Sequence, residues 1–470
     1  MQRYLTPINN IASGIKSHAI NSEFPQPCHF ESEPHKSSAM ITNRRKFLQR
    51  SFAATGAVAF SNFFADAATN QLRDAIGKIS SRAPETVARD EDFWFWVQQS
   101  FTSSPNIINM NNGGVCPQPK VVQDVFQHYY RVSNEGPAYF MWRIVDSGRE
   151  NVRKELAGLA GCSEEEVAIQ RNTTEALETV IFGLDLKEGD EVVLTKQDYP
   201  NMINAWKQRE KRDGIVLKWI SLDQPIEDDD EIVKRYTDAF TSRTKIIEIM
   251  HMINWSGQIL PAKKIARAAH EQGIEVLVDG AHSFAHLNFK IPELECDYFG
   301  TSLHKWLYSP FGTGMLYVKK DHIGKVWPRL APGDPESDDI RKFEALGTRN
   351  MPAEMSIGRA IEYHYMLGPE RKEARLRYLR NYWMEAIKDH PKIRFFTSFK
   401  PEYACGLGNF AIEGMTPGEL QSALFNEYKI YTVSISWENI QGVRVTPNVY
   451  TSMHNMEYLV EAILEIANRA

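Results

Sequence analysis

Cysteine is scarce in this sequence, and so are an excess of one charge and long apolar runs. The 470 residues hold five cysteines, Cys28, Cys116, Cys162, Cys296 and Cys405. None forms a C-x-x-C pair, and their spacing fits no zinc or disulfide framework, so they read as small buried apolar residues. The formal net charge of −6 and a pI near 6.2 give no reason to expect nucleic acid or an anionic lipid surface as a partner. No stretch reaches the roughly 20 apolar residues that span a bilayer. What is present, 43% hydrophobic and 24% charged residues, suits a globular chain with an ample core. The length points to two domains, or one large α/β body with an appendage.

Residues 1–39 are polar and irregular, with Pro25, Pro27 and Pro34. Met40 is then followed by Asn43-Arg-Arg-Lys-Phe-Leu48 and the short apolar run Ser51-Phe-Ala-Ala-Thr-Gly-Ala-Val-Ala-Phe60. A twin arginine before a weakly apolar run, with Ala65-Asp66-Ala67 at the place of a cleavage site, resembles a twin-arginine export signal over 40–67. Met40 is accordingly the expected start, residues 1–39 an upstream or disordered extension, and the periplasm or exterior the expected location. Residues 68–108 read as a helical lead-in whose aromatic segment Asp92-Phe-Trp-Phe-Trp-Val97 docks on the main body.

From 109 onward, strands and helices alternate. Ile107-Ile-Asn-Met-Asn-Asn-Gly-Gly-Val115 ends in a strong turn signal. Val167-Ala-Ile-Gln170 is a short strand that turns at Asn172 into a helix with Leu177, Val180, Ile181 and Leu184 on one face. Asn172 is a natural N-cap, and Glu175 three residues on completes a capping-box pattern. Thr173 and Thr174 then offer hydroxyls and free N–H groups to an anion at a helix N-terminus, although an ordinary cap explains the same residues. Further strands end at Thr195, Met250 and Asp279, followed respectively by Tyr199, by Asn254 and by Asp279 itself at the tip. Such alternation predicts a mostly parallel sheet covered on both faces. Ligands bind outside the carboxyl ends of the strands in such sheets, which is where Thr173, Tyr199, Asn254 and Asp279 fall.

Two motifs carry specific chemistry. Tyr298-Phe-Gly-Thr-Ser-Leu-His-Lys-Trp306 leads into the turn-rich Ser309-Pro-Phe-Gly-Thr-Gly314. A lysine preceded by Ser302 and His304 is what a pyridoxal phosphate enzyme places under its cofactor: the Lys305 amine forms the Schiff base, and the hydroxyl and imidazole reach the phosphate. In Val278-Asp-Gly-Ala-His-Ser283, Asp279 and His282 could begin a metal site, but no further acid or imidazole of suitable spacing stands nearby, so no metal is expected. The alternative for Asp279 is to pair with a pyridinium nitrogen and keep that ring an electron acceptor.

Together these residues resemble the class V aminotransferase group of fold type I pyridoxal phosphate enzymes, from about Asn109 to the C-terminus. The Asn-Asn-Gly-Gly opening and Pro137-Ala-Tyr-Phe140 are most similar to its isopenicillin N epimerase-like branch. The resemblance implies a large cofactor-binding domain over 109–330, with a mostly parallel sheet sandwiched by helices, and a smaller α+β domain over 331–470. It implies Lys305 as the Schiff-base lysine and Asp279 on the pyridine nitrogen. Thr173, Thr174, Ser302 and His304 would hold the phosphate, Tyr199 would stack on the ring, Asn254 would contact the ring hydroxyl, and His282 would lie beside the cofactor. Phe343-Glu-Ala-Leu-Gly-Thr348 matches a segment whose Thr348 reaches the phosphate of a neighbouring subunit, which implies a homodimer. Arg444, in Gly442-Val-Arg-Val-Thr-Pro-Asn-Val-Tyr450, would clamp the α-carboxylate of an amino acid substrate with its planar fork.

One departure from the family pattern is informative. Desulfurases of this class carry a nucleophilic cysteine shortly before the position of Arg444, and Val433-Ser-Ile-Ser-Trp-Glu-Asn-Ile440 has none, so desulfuration through a persulfide is not expected. The expected chemistry is removal of the Cα proton by Lys305 as general base, leading to transamination or epimerisation, with a β-lyase outcome as the alternative. An exported small-solute-binding protein would share the size and alternation but leave Lys305, Asp279 and the phosphate cap unexplained together. The substrate is not legible. Loops such as 137–146 and 328–340 are expected to shape its pocket.

Overall fold

The computed structural model describes Ala67–Ala470; the expected start at Met40, the extension 1–39 and nearly all of the signal over 40–67 lie outside the described residues. Among the described residues, thirteen strands fall into three sheets. The largest contains β2 (Val167–Gln170), β3 (Glu191–Thr195), β4 (Val216–Ile220), β5 (Thr244–Met250), β6 (Glu275–Asp279), β7 (Tyr298–Ser302) and β8 (Gly314–Val318) in the spatial order β2-β8-β7-β6-β5-β3-β4. Neighbours are parallel except where β8 runs against β7 and β2.

The strand sequences explain this placement. Val192, Leu194, Ile246, Leu277 and Leu316 point to one face, where Leu177, Val180, Ile181 and Trp206 pack. Val193, Ile247, Ile249, Val276 and Val278 point to the other, against Leu156, Ile265, Ala266 and Ala269. A strand buried on both faces reads as a continuous apolar run, and each such side chain contributes about 1.5–3 kcal/mol on burial. The helices Thr173–Gly183, Pro200–Asp213 and Ala262–His270 supply these layers.

The four-stranded sheet is antiparallel throughout, in the order β12 (Val433–Trp437), β13 (Ile440–Val445), β10 (Gly408–Ile412) and β9 (Ile393–Phe395). Helices Pro369–Ile387, Pro417–Tyr428 and Met453–Arg469 contribute Leu379, Trp383, Leu424 and Leu459 to the core it shares. A third, two-stranded sheet joins β1 (Ile108–Asn109) to β11 (Ile430–Tyr431) in parallel, and Asn111 bridges Thr446. The Asn-Asn-Gly-Gly turn is thereby carried to the small sheet, far from its sequence neighbours. In the lead-in, helices Ala67–Ile79, Pro84–Val87 and Glu91–Gln99 form, and Phe93, Trp94 and Val97 dock as expected while Phe95 stays exposed.

The expected capping box at Asn172 is only half made. Asn172 Oδ1 accepts the Glu175 N–H at 2.9 Å, but the Glu175 carboxylate takes the Arg171 backbone N–H and guanidinium instead. A charged partner outcompetes a lone amide for a carboxylate.

Candidate active site

The carboxyl ends of β2, β3, β5, β6 and β7 open on one cavity of about 410 Å³. Its wall contains Thr173, Thr174, Tyr199, Asn254, Asp279, His282, Ser302, His304, Lys305 and Arg444. These are all the expected site residues but one. Thr348 is exposed and does not line the cavity within a single chain. Its segment starts from a buried anchor, with Glu344 bonded to Arg149, Arg153 and the Ile169 N–H, and then runs out to the surface.

At the centre, half-buried Lys305 places Nζ 3.2 Å from His282 Nε2. Burial pulls the amine down to about 8, against the pull of Asp279, which favours the ammonium; Arg444 adds to the lowering. A lysine so placed is neutral often enough near physiological pH to attack a carbonyl. Burial likewise pushes Asp279 above the usual carboxylate range, opposed by the Ala281 N–H that it accepts at 2.8 Å and by the charge of Lys305. A cationic ring beside it would reverse that shift. His282 is held neutral by burial first and by Lys305 next, and its Nδ1 is buried without a partner.

The anion pole is built from two strand ends. Ser302 Oγ accepts the Thr173 N–H at 2.9 Å and lies 2.7 Å from Thr173 Oγ1, so the first turn of the helix Thr173–Gly183 is aimed at the cavity with two hydroxyls. A Cβ on Gly314 would fall 2.6 Å from Asn172 N, so this close approach of β8 requires glycine. His304 gives its Nδ1–H to the Thr313 carbonyl at 2.9 Å, and burial draws its pKa down to about 4. With Nδ1 committed, Nε2 can donate to an anion only by gaining a proton, which an arriving dianion would favour.

Arg444 forms the opposite pole. It is buried on β13, with Nη1 donating to the Asn254 carbonyl at 2.7 Å and Nη2 to Asn111 Oδ1 at 2.8 Å. Its Nε has no partner, and no carboxylate among the described residues pairs with it. Burial brings its pKa down to about 10. A buried guanidinium with an unused donor is costly unless a ligand completes it.

Several wall residues went unremarked as site residues in the sequence. Asn111 was visible only as part of a turn. Gly113 admits the guanidinium so closely that a Cβ would sit 3.3 Å from its Cζ. Trp255 stacks on Trp437 at 5.3 Å and approaches Tyr199 at 6.5 Å; the two indole N–H groups donate to Gln197 and Lys196 carbonyls. Outside the wall, buried Lys372 donates to the carbonyl of Trp306, the residue after Lys305, and nothing in its sequence surroundings marks it. Segments 137–146 and 328–340 do not line the cavity; Met202, Met250, Val433 and Ile435 do.

Comparison with known proteins agrees with this constellation: the aminotransferase class-V description matches residues 108–463. The chain belongs to the class-V aminotransferase family. Among class-V relatives, isopenicillin N epimerase of Amycolatopsis lactamdurans is 26% identical over 393 residues, 80% of this chain and 98% of that protein. A cysteine desulfurase of Synechococcus elongatus is 30% identical over 354 residues, 71% of this chain and 55% of that protein. The fold also matches a solved C-DES mutant with glycine covalently linked to its PLP cofactor, at 21% identity and a TM-score of 0.71, covering 77% of this chain and 98% of that one. The family therefore includes both epimerases and desulfurases, and the fold is that of a pyridoxal phosphate-type α/β enzyme with a mostly parallel sheet.

Proposed function

We propose that this class-V protein is a pyridoxal phosphate enzyme acting at the α carbon of an amino acid, by amino transfer or epimerisation. The observation that carries the reading is Arg444: a buried guanidinium without a carboxylate partner faces the same cavity as Lys305. The residues fit the cofactor. Ser302, Thr173, Thr174 and His304 would hold its phosphate, Asp279 its ring nitrogen, Tyr199 and Asn254 its ring. The unpartnered Asn254 Oδ1, His282 Nδ1 and Arg444 Nε are the atoms that a bound cofactor and substrate would satisfy. The C-DES structure, linked to PLP and glycine, supports pyridoxal phosphate as the cofactor.

When bound, pyridoxal phosphate supplies an electron sink for the pair left at Cα. The protein's own part is positional and acid–base. Arg444 binds the α-carboxylate through its free edge, with Asn111 and Asn254 holding the fork. Lys305 Nζ takes the Cα proton, and its lowered pKa keeps it competent as a base. Asp279, shielded from water, keeps negative charge where positive charge is needed. The face to which the proton returns, or loss of a β substituent, sets the product. The desulfurase relative and the cystine C-S lyase C-DES support cleavage of a β C–S bond, by elimination, as the second reading. Among the described residues a persulfide route lacks a thiol at the cavity: Cys116, Cys162, Cys296 and Cys405 are free, and none lines it.

Two further parts of the reading concern assembly and location. Exposed Tyr139, Trp142 and Ile144 form an apolar patch beside the helix Met351–Met355, three residues after Thr348. A second copy of this chain is the partner that the Thr348 segment implies for this patch, and light scattering of the purified protein tests for the dimer. Export by the twin-arginine route is tested by N-terminal sequencing of secreted protein, which should begin after residue 67.

The test of the chemistry is exchange. Loaded protein incubated with L-amino acids in deuterated water should exchange the Cα proton of at least one. A D-isomer, an oxo acid or a released β group then names the outcome. Exchange with none of the amino acids contradicts the proposal.

A further inference from the structure

The cavity wall carries few charges. Among the described residues that line it, only Asp279, Lys305 and Arg444 are ionised groups; His282 and His304 are held neutral. Under the function proposed above, each of the three is already committed: Asp279 to the ring nitrogen, Lys305 to the Cα proton, Arg444 to the α-carboxylate. Within one chain, no charge is left over for a substrate side chain. Tyr199 is taken by the cofactor ring, and the polar Asn111 and Asn172 on the wall are committed to Arg444 and to the Glu175 N–H. The apolar and aromatic surfaces that remain are Trp255, Met202, Met250, Val433 and Ile435.

Register places two of them beside the clamp. Val433 pairs with Arg444 across β12 and β13, and Ile435 pairs with Gly442, so their side chains share the guanidinium's side of the small sheet. Trp255 follows Asn254, whose carbonyl holds Nη1, and its stack on Trp437 fixes the wall from the large sheet to the hairpin. Met202 and Met250 add soft, adaptable surface.

The geometry points to an amino acid with an uncharged, predominantly apolar side chain as the substrate class, with Val433, Ile435 and Trp255 as its specificity surface. This inference rests on the function proposed above. A charged side chain entering this wall would be desolvated without a partner, whereas leucine or methionine would bury apolar area there.

Side chains of matched length provide the test. The pyridoxal phosphate-loaded protein is titrated with methionine, norleucine, glutamine, glutamate and lysine, following both the cofactor spectrum and the shift in Tm. Methionine and norleucine are expected to bind, with glutamate and lysine at least about 100-fold weaker, as burying an unpaired charge requires. Glutamate or lysine binding within 10-fold of methionine would overturn the inference and leave the proposed function intact. Failure of every amino acid to alter the spectrum or Tm would overturn the proposed function itself, and this inference with it. Val433→Lys supplies a second arm: glutamate should approach glutamine to within about 10-fold, because the new ammonium gives its carboxylate a partner. An unchanged gap would remove β12 from the side-chain wall and overturn the assignment.

Discussion

At the carboxyl edge of the large sheet, several polar groups of the site find partners within that sheet and its turns: Thr173 with Ser302, Asp279 with the Ala281 N–H, His304 with the Thr313 carbonyl. On the small sheet, Arg444 is held by Asn254 and Asn111, 190 and 333 residues away along the chain. The first pole needs one sheet to form. The second needs the small sheet, a loop after β5 and the turn after β1 to meet. The cofactor pole is therefore preorganised within one sheet, and the substrate pole is a product of long-range contacts between two sheets. Variants of the two poles should fail in different ways, and that difference is measurable.

The largest effect is expected where the poles meet. Lys305→Ala should lower turnover at least about 1,000-fold, because it removes both the covalent anchor and the base, while the protein still binds free cofactor through the large sheet. Arg444→Ala comes next. Loss of a charge-assisted fork should cut kcat/KM about 100-fold, with cofactor content unchanged; a loss of cofactor instead would break the comparison.

Two smaller substitutions sharpen it. Ser302→Ala should weaken cofactor affinity about 10-fold, measured by equilibrium dialysis, and leave the amino acid KM nearly unchanged. Asn111→Ala should do the reverse, raising the amino acid KM about 5- to 10-fold with cofactor affinity intact, because one of the two groups orienting the fork is lost. Equal effects of both variants on both ligands would mean that the poles are not separable.

The smallest expected effect is on pH dependence in the cofactor-free protein. Burial lowers the Lys305 amine from 10.5 to about 8. The unfolded chain therefore holds that proton more tightly, and the stability contributed by this group rises with pH between about 8 and 10.5. It is lost as pH falls through about 8. Cofactor uptake needs the free amine, so its rate should climb through pH 8 and level off above it, and Lys305→Ala should abolish that step in stopped-flow absorbance.

The same contrast decides what could be read from the sequence. Lys305, Asp279 and Thr173 announce themselves because each sits at the end of an apolar run, and the parallel-sheet rule puts all such ends on one edge. Arg444 was reached through resemblance to a family motif. Asn111, Trp255 and Val433 were not legible as wall residues, since no local pattern says that residue 111 will meet residue 444. Segments 137–146 and 328–340 looked like pocket loops because they are irregular and aromatic or proline-rich. The first is instead helical from Pro137 to Gly148, with Tyr139 and Trp142 exposed. Of the five cysteines expected to be buried, Cys116, Cys296 and Cys405 are, Cys162 is half-buried, and Cys28 lies outside the described residues.

The most direct measurement is chemical. Protein loaded with pyridoxal phosphate, reduced with borohydride and digested, should show the cofactor mass on one peptide, that bearing Lys305, and Lys305→Ala should show none. Cofactor fixed on another lysine, or on no residue at all, would contradict the account.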